Sequence, residues 1–216
     1  MITVYHLSTS RSERIVWLME ELGLEYRLEA FQREPSGAAP PPMKALHALG
    51  KAPVIRDGDL VLAESGAIVD YIIHRHAGGR LAVPPGAPEF AGYLYWLHFA
   101  EGSLMSLLLI ALVLSRVPEA DASPVKARIH ERVKQMLAFV DASLAGHLYF
   151  AGERFTAADV MMAFPFTTMR HFLEYDLSPY ANIAAYLERI ESRPAYRKAM
   201  ELAGPRDSYF PKKEAR

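Results

Sequence analysis

An α/β domain followed by an all-α domain is the architecture this sequence predicts, on three observations. Strand-like and helix-like segments alternate up to residue 76, a Gly- and Pro-rich stretch from Ala77 to Pro88 breaks the composition, and helical periodicity runs on afterwards. The boundaries that follow are a first domain over 1–78, a linker over 79–87, a helical domain over 88–205 and a tail over 206–216.

Ile2 to Leu7 alternates as a strand, and Arg11 to Leu22 places Ile15, Leu18, Met19 and Leu22 at helical spacing before a Gly23 stop. Tyr26 to Phe31 reads as a second strand. A loop rich in Pro and Ala, 35–42, leads to a short helix around 43–49. Val54 to Leu62 holds two apolar runs around Asp57-Gly58, a strong hairpin signal. Ser65 to His76 closes the unit with Ile68, Val69, Ile72 and Ile73 on one helical face, so the order is βαβαββα. Beyond the linker, helices are expected over 89–115, 124–145, 157–173, 183–193 and 195–202. Thr156 and Asp159 before an apolar run form an N-terminal capping signal, read as a folding device. The tail has little apolar content beyond Tyr209-Phe210 and is expected to be loose.

Composition narrows the chemistry. With 216 residues and 51% hydrophobic content the chain can bury a substantial core, and with no cysteine it has neither disulfides nor a thiol nucleophile of its own. Any thiol chemistry must use an external thiol. A formal net charge of −1 with dispersed basic residues disfavours nucleic acid. The longest apolar run, Leu104 to Leu114, is too short for a bilayer, and Met1 to Tyr5 reads directly as a strand, so a cytoplasmic protein with no membrane partner is expected. His74 and His76 lie two apart on a helix and make no metal site; solvated helix ends account for them.

Two segments carry the functional reading. Gly50-Lys51-Ala52-Pro53-Val54-Ile55 puts a proline into a strand pattern, where a cis bond that turns the backbone of Ala52 toward a ligand is one reason for it. Glu64-Ser65 follows where a strand meets a helix, so the carboxylate can take an amino group while the hydroxyl and nearby N–H groups take a carboxylate. Together they suit the two charged ends of an amino acid. The second segment, Ser8-Thr9-Ser10-Arg11-Ser12, lies between the first strand and helix, where hydroxyls and free N–H groups can favour an anion.

The layout, the Ala52-Pro53 and Glu64-Ser65 spacing and the Ser-Arg-Ser turn resemble the cytosolic-type glutathione S-transferases, in their bacterial, serine-type or theta-like form, over nearly the whole chain. The resemblance implies a thioredoxin-like first domain, glutathione as co-substrate, no cofactor or metal, and attack of the glutathione thiolate on a hydrophobic electrophile, with peroxidase activity as a companion. Counting back from Arg14 and Trp17, Ser10 falls on the family's thiol-activating serine, with Tyr5 the alternative and Ser8, Thr9 and Ser12 as neighbouring hydroxyls. Glutathione contacts are then expected from Ser10, Arg11, Lys51, Ala52, Pro53, Glu64 and Ser65, with Glu101 supplied by the partner subunit of a homodimer. Phe99, Met105, Phe164 and Met169 are the candidates for the electrophile pocket. A rival from another class is a non-catalytic adaptor that keeps the fold for protein contacts.

Overall fold

A computed structural model describes residues 1–118, 121 and 123–205. The expected tail, 206–216, lies outside the described residues. By its contacts the chain divides into two units, Met1–Arg80 together with the segment from Glu191 onward, and Leu81–Ile190.

In the first unit, β1 (Ile2–Leu7), α1 (Glu13–Leu22), β2 (Tyr26–Phe31), α2 (Pro41–Lys44), β3 (Val54–Asp57), β4 (Leu60–Ala63) and α3 (Ser65–His76) follow the expected order. The sheet order is β2-β1-β3-β4, with β1 parallel to β2 and antiparallel to β3. Gly23 ends α1 in the left-handed conformation, and its N–H and that of Leu24 reach back to Glu20 and Met19. Alternation along β1 sends Tyr5 and Leu7 to a cluster with Ala39, Met43 and Val54, so His6 faces the opposite side of the sheet. The helix around 43–49 is only a single turn, Pro41–Lys44, because the following backbone closes into turns ending at Gly50 (φ 57°).

The first unit also takes α9 (Pro194–Ala203), which the sequence assigns to the helical domain. Tyr196 meets Trp17 edge-on at 4.9 Å, and Arg193 donates two hydrogen bonds to Glu21 at 2.6 and 2.7 Å. The apolar face of α9 is therefore spent on α1. His76, expected as a solvated helix end, bonds Asp57 of the hairpin turn at 2.7 Å, and Tyr71 donates to the same carboxylate at 2.9 Å.

The second unit comprises α4 (Phe90–Phe99), a π-helical segment (Ala100–Met105), α5 (Ser106–Ser115), α6 (Pro124–Ser143), α7 (Ala157–Phe166), a 3-10 turn (Thr168–His171) and most of α8 (Ala181–Ser192). All ten residues of α7 are buried, nine of them apolar and the tenth Asp159, and the other helices turn Trp96, Leu108, Leu137 and Tyr186 toward the core. The expected helix over 157–173 stops at Phe166: Pro165 has no N–H for the preceding turn, and Thr167 leaves helical geometry at φ −112°, ψ −99°. Phe90–Ser115 is one helical run of 26 residues, long and apolar enough by length and composition to cross a bilayer. Its extent is that of the helix expected over 89–115, with the π segment joining α4 to α5, so the bilayer judgement drawn from the 104–114 apolar stretch understates it; Trp96, Leu97, Leu104 and Leu108 of this run are core residues of the unit.

Candidate active site

Strand register brings the two sequence motifs to one end of the sheet. Tyr5 pairs with Val54, and Val54 with Ala63. The chain leaving β1 at Leu7, the chain entering β3 from Pro53 and the chain leaving β4 at Glu64 therefore emerge side by side. The Ala52–Pro53 peptide is cis. Ser65 is buried at the first position of α3, and Glu64 before it is exposed with φ 72° and ψ 120°. Lys51 is exposed, whereas Ala52 and Arg11 are half-buried.

Backbone strain concentrates here. Of three non-glycine residues with positive φ among those described, Thr9 (52°) and Glu64 (72°) belong to the two motifs. A β-branched residue in the left-handed region is a true outlier that surrounding structure has to hold, and such residues cluster at ligand clamps. The holder is Arg33, which was not legible as a site residue. Its guanidinium donates to the carbonyls of Ser8 (2.9 Å), Thr9 (2.9 Å) and Gly37 (2.8 Å), gripping the turn from behind. Thr9 is almost fully buried, and its Oγ1 has no hydrogen-bond partner among the described residues.

The hydroxyls of the turn are organised around Ser12, which is fully buried. Ser12 Oγ lies 2.8 Å from His6 Nδ1 and 2.7 Å from Ser10 Oγ, and it accepts from the N–H of Leu7 at 3.1 Å. Ser10 Oγ in turn accepts from the Ser12 N–H at 3.2 Å. The N–H groups of Glu13 and Arg14 close onto the carbonyls of Ser10 and Arg11, both at 3.2 Å. This corrects the expectation of several free N–H groups at the start of α1: the first turn tightens and satisfies them internally, leaving the hydroxyls as the adaptable donors. His6 was likewise missed, although a polar residue on the buried side of an apolar strand is a signal that a partner waits for it.

Tyr5 sits apart from this network. Its ring packs in the cluster with Leu7, Ala39, Met43 and Val54 and lies 6.4 Å from that of Phe31. In the second unit, Glu101 falls in the π-helical segment and is half-buried. Phe99, Met105, Phe164 and Met169 are all buried there, with Phe99 stacked on Tyr95 and in edge contact with Trp96. Among the described residues no group of three or more His, Asp or Glu is arranged to hold a metal ion.

Comparison with known proteins decides the family. The family model for the glutathione S-transferase N-terminal domain matches residues 1–74, and that for the C-terminal domain matches 104–194. Glutathione S-transferase 3 of Schizosaccharomyces pombe is 35% identical, the match covering 93% of this chain and 87% of that protein. The chain belongs to the glutathione S-transferase family. Among solved structures, a glutathione S-transferase from Actinobacillus pleuropneumoniae is 38% identical with a TM-score of 0.87, covering 99% of this chain and 98% of that one. A theta class enzyme from Xanthomonas axonopodis pv. citri, solved with glutathione bound, is 27% identical with a TM-score of 0.73, covering 92% and 96%. In this transferase the thioredoxin-like unit carries the turn, the cis-proline and the Glu64-Ser65 step.

Proposed function

We propose that this glutathione S-transferase binds glutathione across the end of its sheet and activates the thiol through Ser10. The observation that carries the reading is the position of Ser10 Oγ. It is held by the Ser12 N–H and Ser12 Oγ, on a turn that emerges beside Pro53 and Glu64. In this reading Glu64 and Ser65 hold the γ-glutamyl end, the Ala52 backbone before Pro53 holds the cysteinyl unit, and Lys51 and Arg11 face the remaining negative charge. The thiol releases its proton to solvent water, the hydroxyl of Ser10 donates to the resulting thiolate, and the sulfur then forms a bond to an electrophilic carbon as the leaving group departs with its electron pair. A free thiol with a pKa of about 8.5 is only a few per cent ionised at neutral pH. Lowering it by about two units requires about 2.7 kcal/mol, within reach of one charge-assisted hydrogen bond and the helix end.

Ser10→Ala tests the assignment. Turnover with an electrophile should fall roughly ten- to a thousandfold while glutathione affinity changes far less. Thr9 is a second reading favoured by its own observation, a buried hydroxyl without a partner among the described residues, and Thr9→Val separates it from Ser10. Reduction of organic hydroperoxides by the same thiolate belongs to the proposal and is settled by assaying both substrate classes.

We further place the protein in the cytoplasm as a homodimer with Glu101 reaching the partner's glutathione. Support for the dimer comes from apolar side chains left exposed on α4 to α6, among them Tyr95, Ile110, Val113 and Phe139. Sedimentation at micromolar concentration tests it, and full activity as a monomer would remove Glu101 from the site. The electrophile pocket at Phe99, Met105, Phe164 and Met169 is supported by the apolar, polarizable character of these side chains, while their burial gives them packing work as well.

A further inference from the structure

The Ser12 hydroxyl has one proton and two lone pairs, and keeping both of its short side-chain contacts hydrogen-bonded leaves two ways of using them. One lone pair is committed to the Leu7 N–H at 3.1 Å. The shortest remaining contacts are Ser10 Oγ at 2.7 Å and His6 Nδ1 at 2.8 Å, with the Leu7 carbonyl farther off at 3.3 Å. If His6 carries its proton on Nδ1, it donates to Ser12, Ser12 donates to Ser10, and the proton of Ser10 is released to point elsewhere. If His6 carries its proton on Nε2, every arrow reverses: Ser12 donates to His6, Ser10 donates to Ser12, and Ser10 offers only a lone pair.

We propose that His6 is a positioning residue that sets the direction of this hydroxyl chain, acting through Ser12 on Ser10. The inference rests on the reading that Ser10 activates the thiol. A donor to a thiolate needs a free proton, and the Nδ1–H form of His6 leaves one on Ser10 without giving up the Ser10–Ser12 hydrogen bond. In that form Ser10 Oγ also accepts twice, from Ser12 N–H at 3.2 Å and from Ser12 O–H, which polarises its own O–H toward the thiolate. All three side chains are buried, which strengthens the hydrogen bonds between them. Strand alternation sends Tyr5 to the opposite face of β1 from His6, and the Tyr5 hydroxyl has no part in the chain.

Two measurements test this. Nitrogen-15 NMR of the imidazole in the glutathione-bound enzyme should show His6 protonated at Nδ1; the Nε2–H form overturns the relay. The second is the ultraviolet titration of the bound glutathione thiol in the wild type, His6→Leu, His6→Asn, Ser10→Ala and the double variant His6→Leu with Ser10→Ala. His6→Leu should raise the midpoint by about one pH unit, the size expected for losing one polarising hydrogen bond. His6→Asn, whose amide can donate from near the Nδ1 position, should bring it back toward the wild type. In the Ser10→Ala background His6→Leu should add nothing, whereas a purely structural role would shift the midpoint in both backgrounds. A shift with Ser10→Ala but none with His6→Leu overturns the relay and leaves Ser10 in its role. No shift with Ser10→Ala overturns both. If His6→Leu does not fold, the tautomer and the His6→Asn titration decide, an Asn midpoint as high as that of Ser10→Ala counting against the relay.

Discussion

Asp159 is the buried carboxylate on which the second unit depends, and Asp159→Ala should unmask a pH dependence of unusual sign. Its side chain accepts from the backbone N–H of Phe150 at 3.0 Å and of Thr156 at 2.8 Å, and from the Thr156 hydroxyl at 3.2 Å. The substitution strands two buried backbone donors at about 1–3 kcal/mol each, so a loss of about 2–6 kcal/mol is expected where the wild-type group is fully favourable. Burial works against the charge. Although the three hydrogen bonds pull the other way, desolvation prevails and pushes the pKa up to about 6. For an acid whose pKa is raised on folding, the stabilisation is complete below the unfolded value near 3.9 and is lost as pH rises through about 6. About two units correspond to about 3 kcal/mol. Urea unfolding of wild type and variant, followed by circular dichroism from pH 4.5 to 7.5, isolates the effect, because other titrating groups are common to both proteins and cancel. The stability gap should narrow as pH rises and level off above pH 7. A gap that widens with pH would show that the hydrogen bonds outweigh burial, and would refute the reasoning.

Arg33→Ala should release the carbonyls of Ser8 and Thr9 and let Thr9 leave its left-handed backbone. Catalytic efficiency is expected to drop by about tenfold or more, with a smaller change in unfolding midpoint, and steady-state kinetics beside thermal melts check the split. Phe164→Ala should cost about 3–5 kcal/mol in unfolding free energy, measured by urea titration, since its ring is buried in a helix surrounded on every side. Arg193→Ala breaks the paired hydrogen bonds to Glu21 that join α9 to α1. Amide exchange should accelerate in α9 first, while that of β1 and β3 stays slow.

Much of the first unit was legible because its signals are local. Gly23 stops α1, Asp57-Gly58 turns the β3–β4 hairpin, and Ile68, Val69, Ile72 and Ile73 mark one face of α3. The site motifs could be read for the same reason, each being a run of adjacent residues, and register then sets Pro53 and Glu64 beside the end of β1. What escaped reading depends on residues distant in sequence. Periodicity shows that α9 has an apolar face but not that Tyr196 finds Trp17. Nothing near Arg33 announces that it will hold carbonyls 24 and 25 residues earlier. The π-helical segment was not legible either: Glu101-Gly102-Ser103 interrupts the apolar pattern there without breaking the helical run. The end of α7 was partly signalled by Pro165, but its helical pattern runs on past the break.

The most direct test of thiol activation is the ultraviolet titration of bound glutathione in the wild type, Ser10→Ala and Tyr5→Phe. The wild type should ionise its bound thiol well below the free value of about 8.5. Ser10→Ala should move the midpoint back toward that value while still binding glutathione, and Tyr5→Phe, which keeps the ring in its cluster, should leave it unmoved. A midpoint shifted by Tyr5→Phe and not by Ser10→Ala would contradict the assignment of the serine.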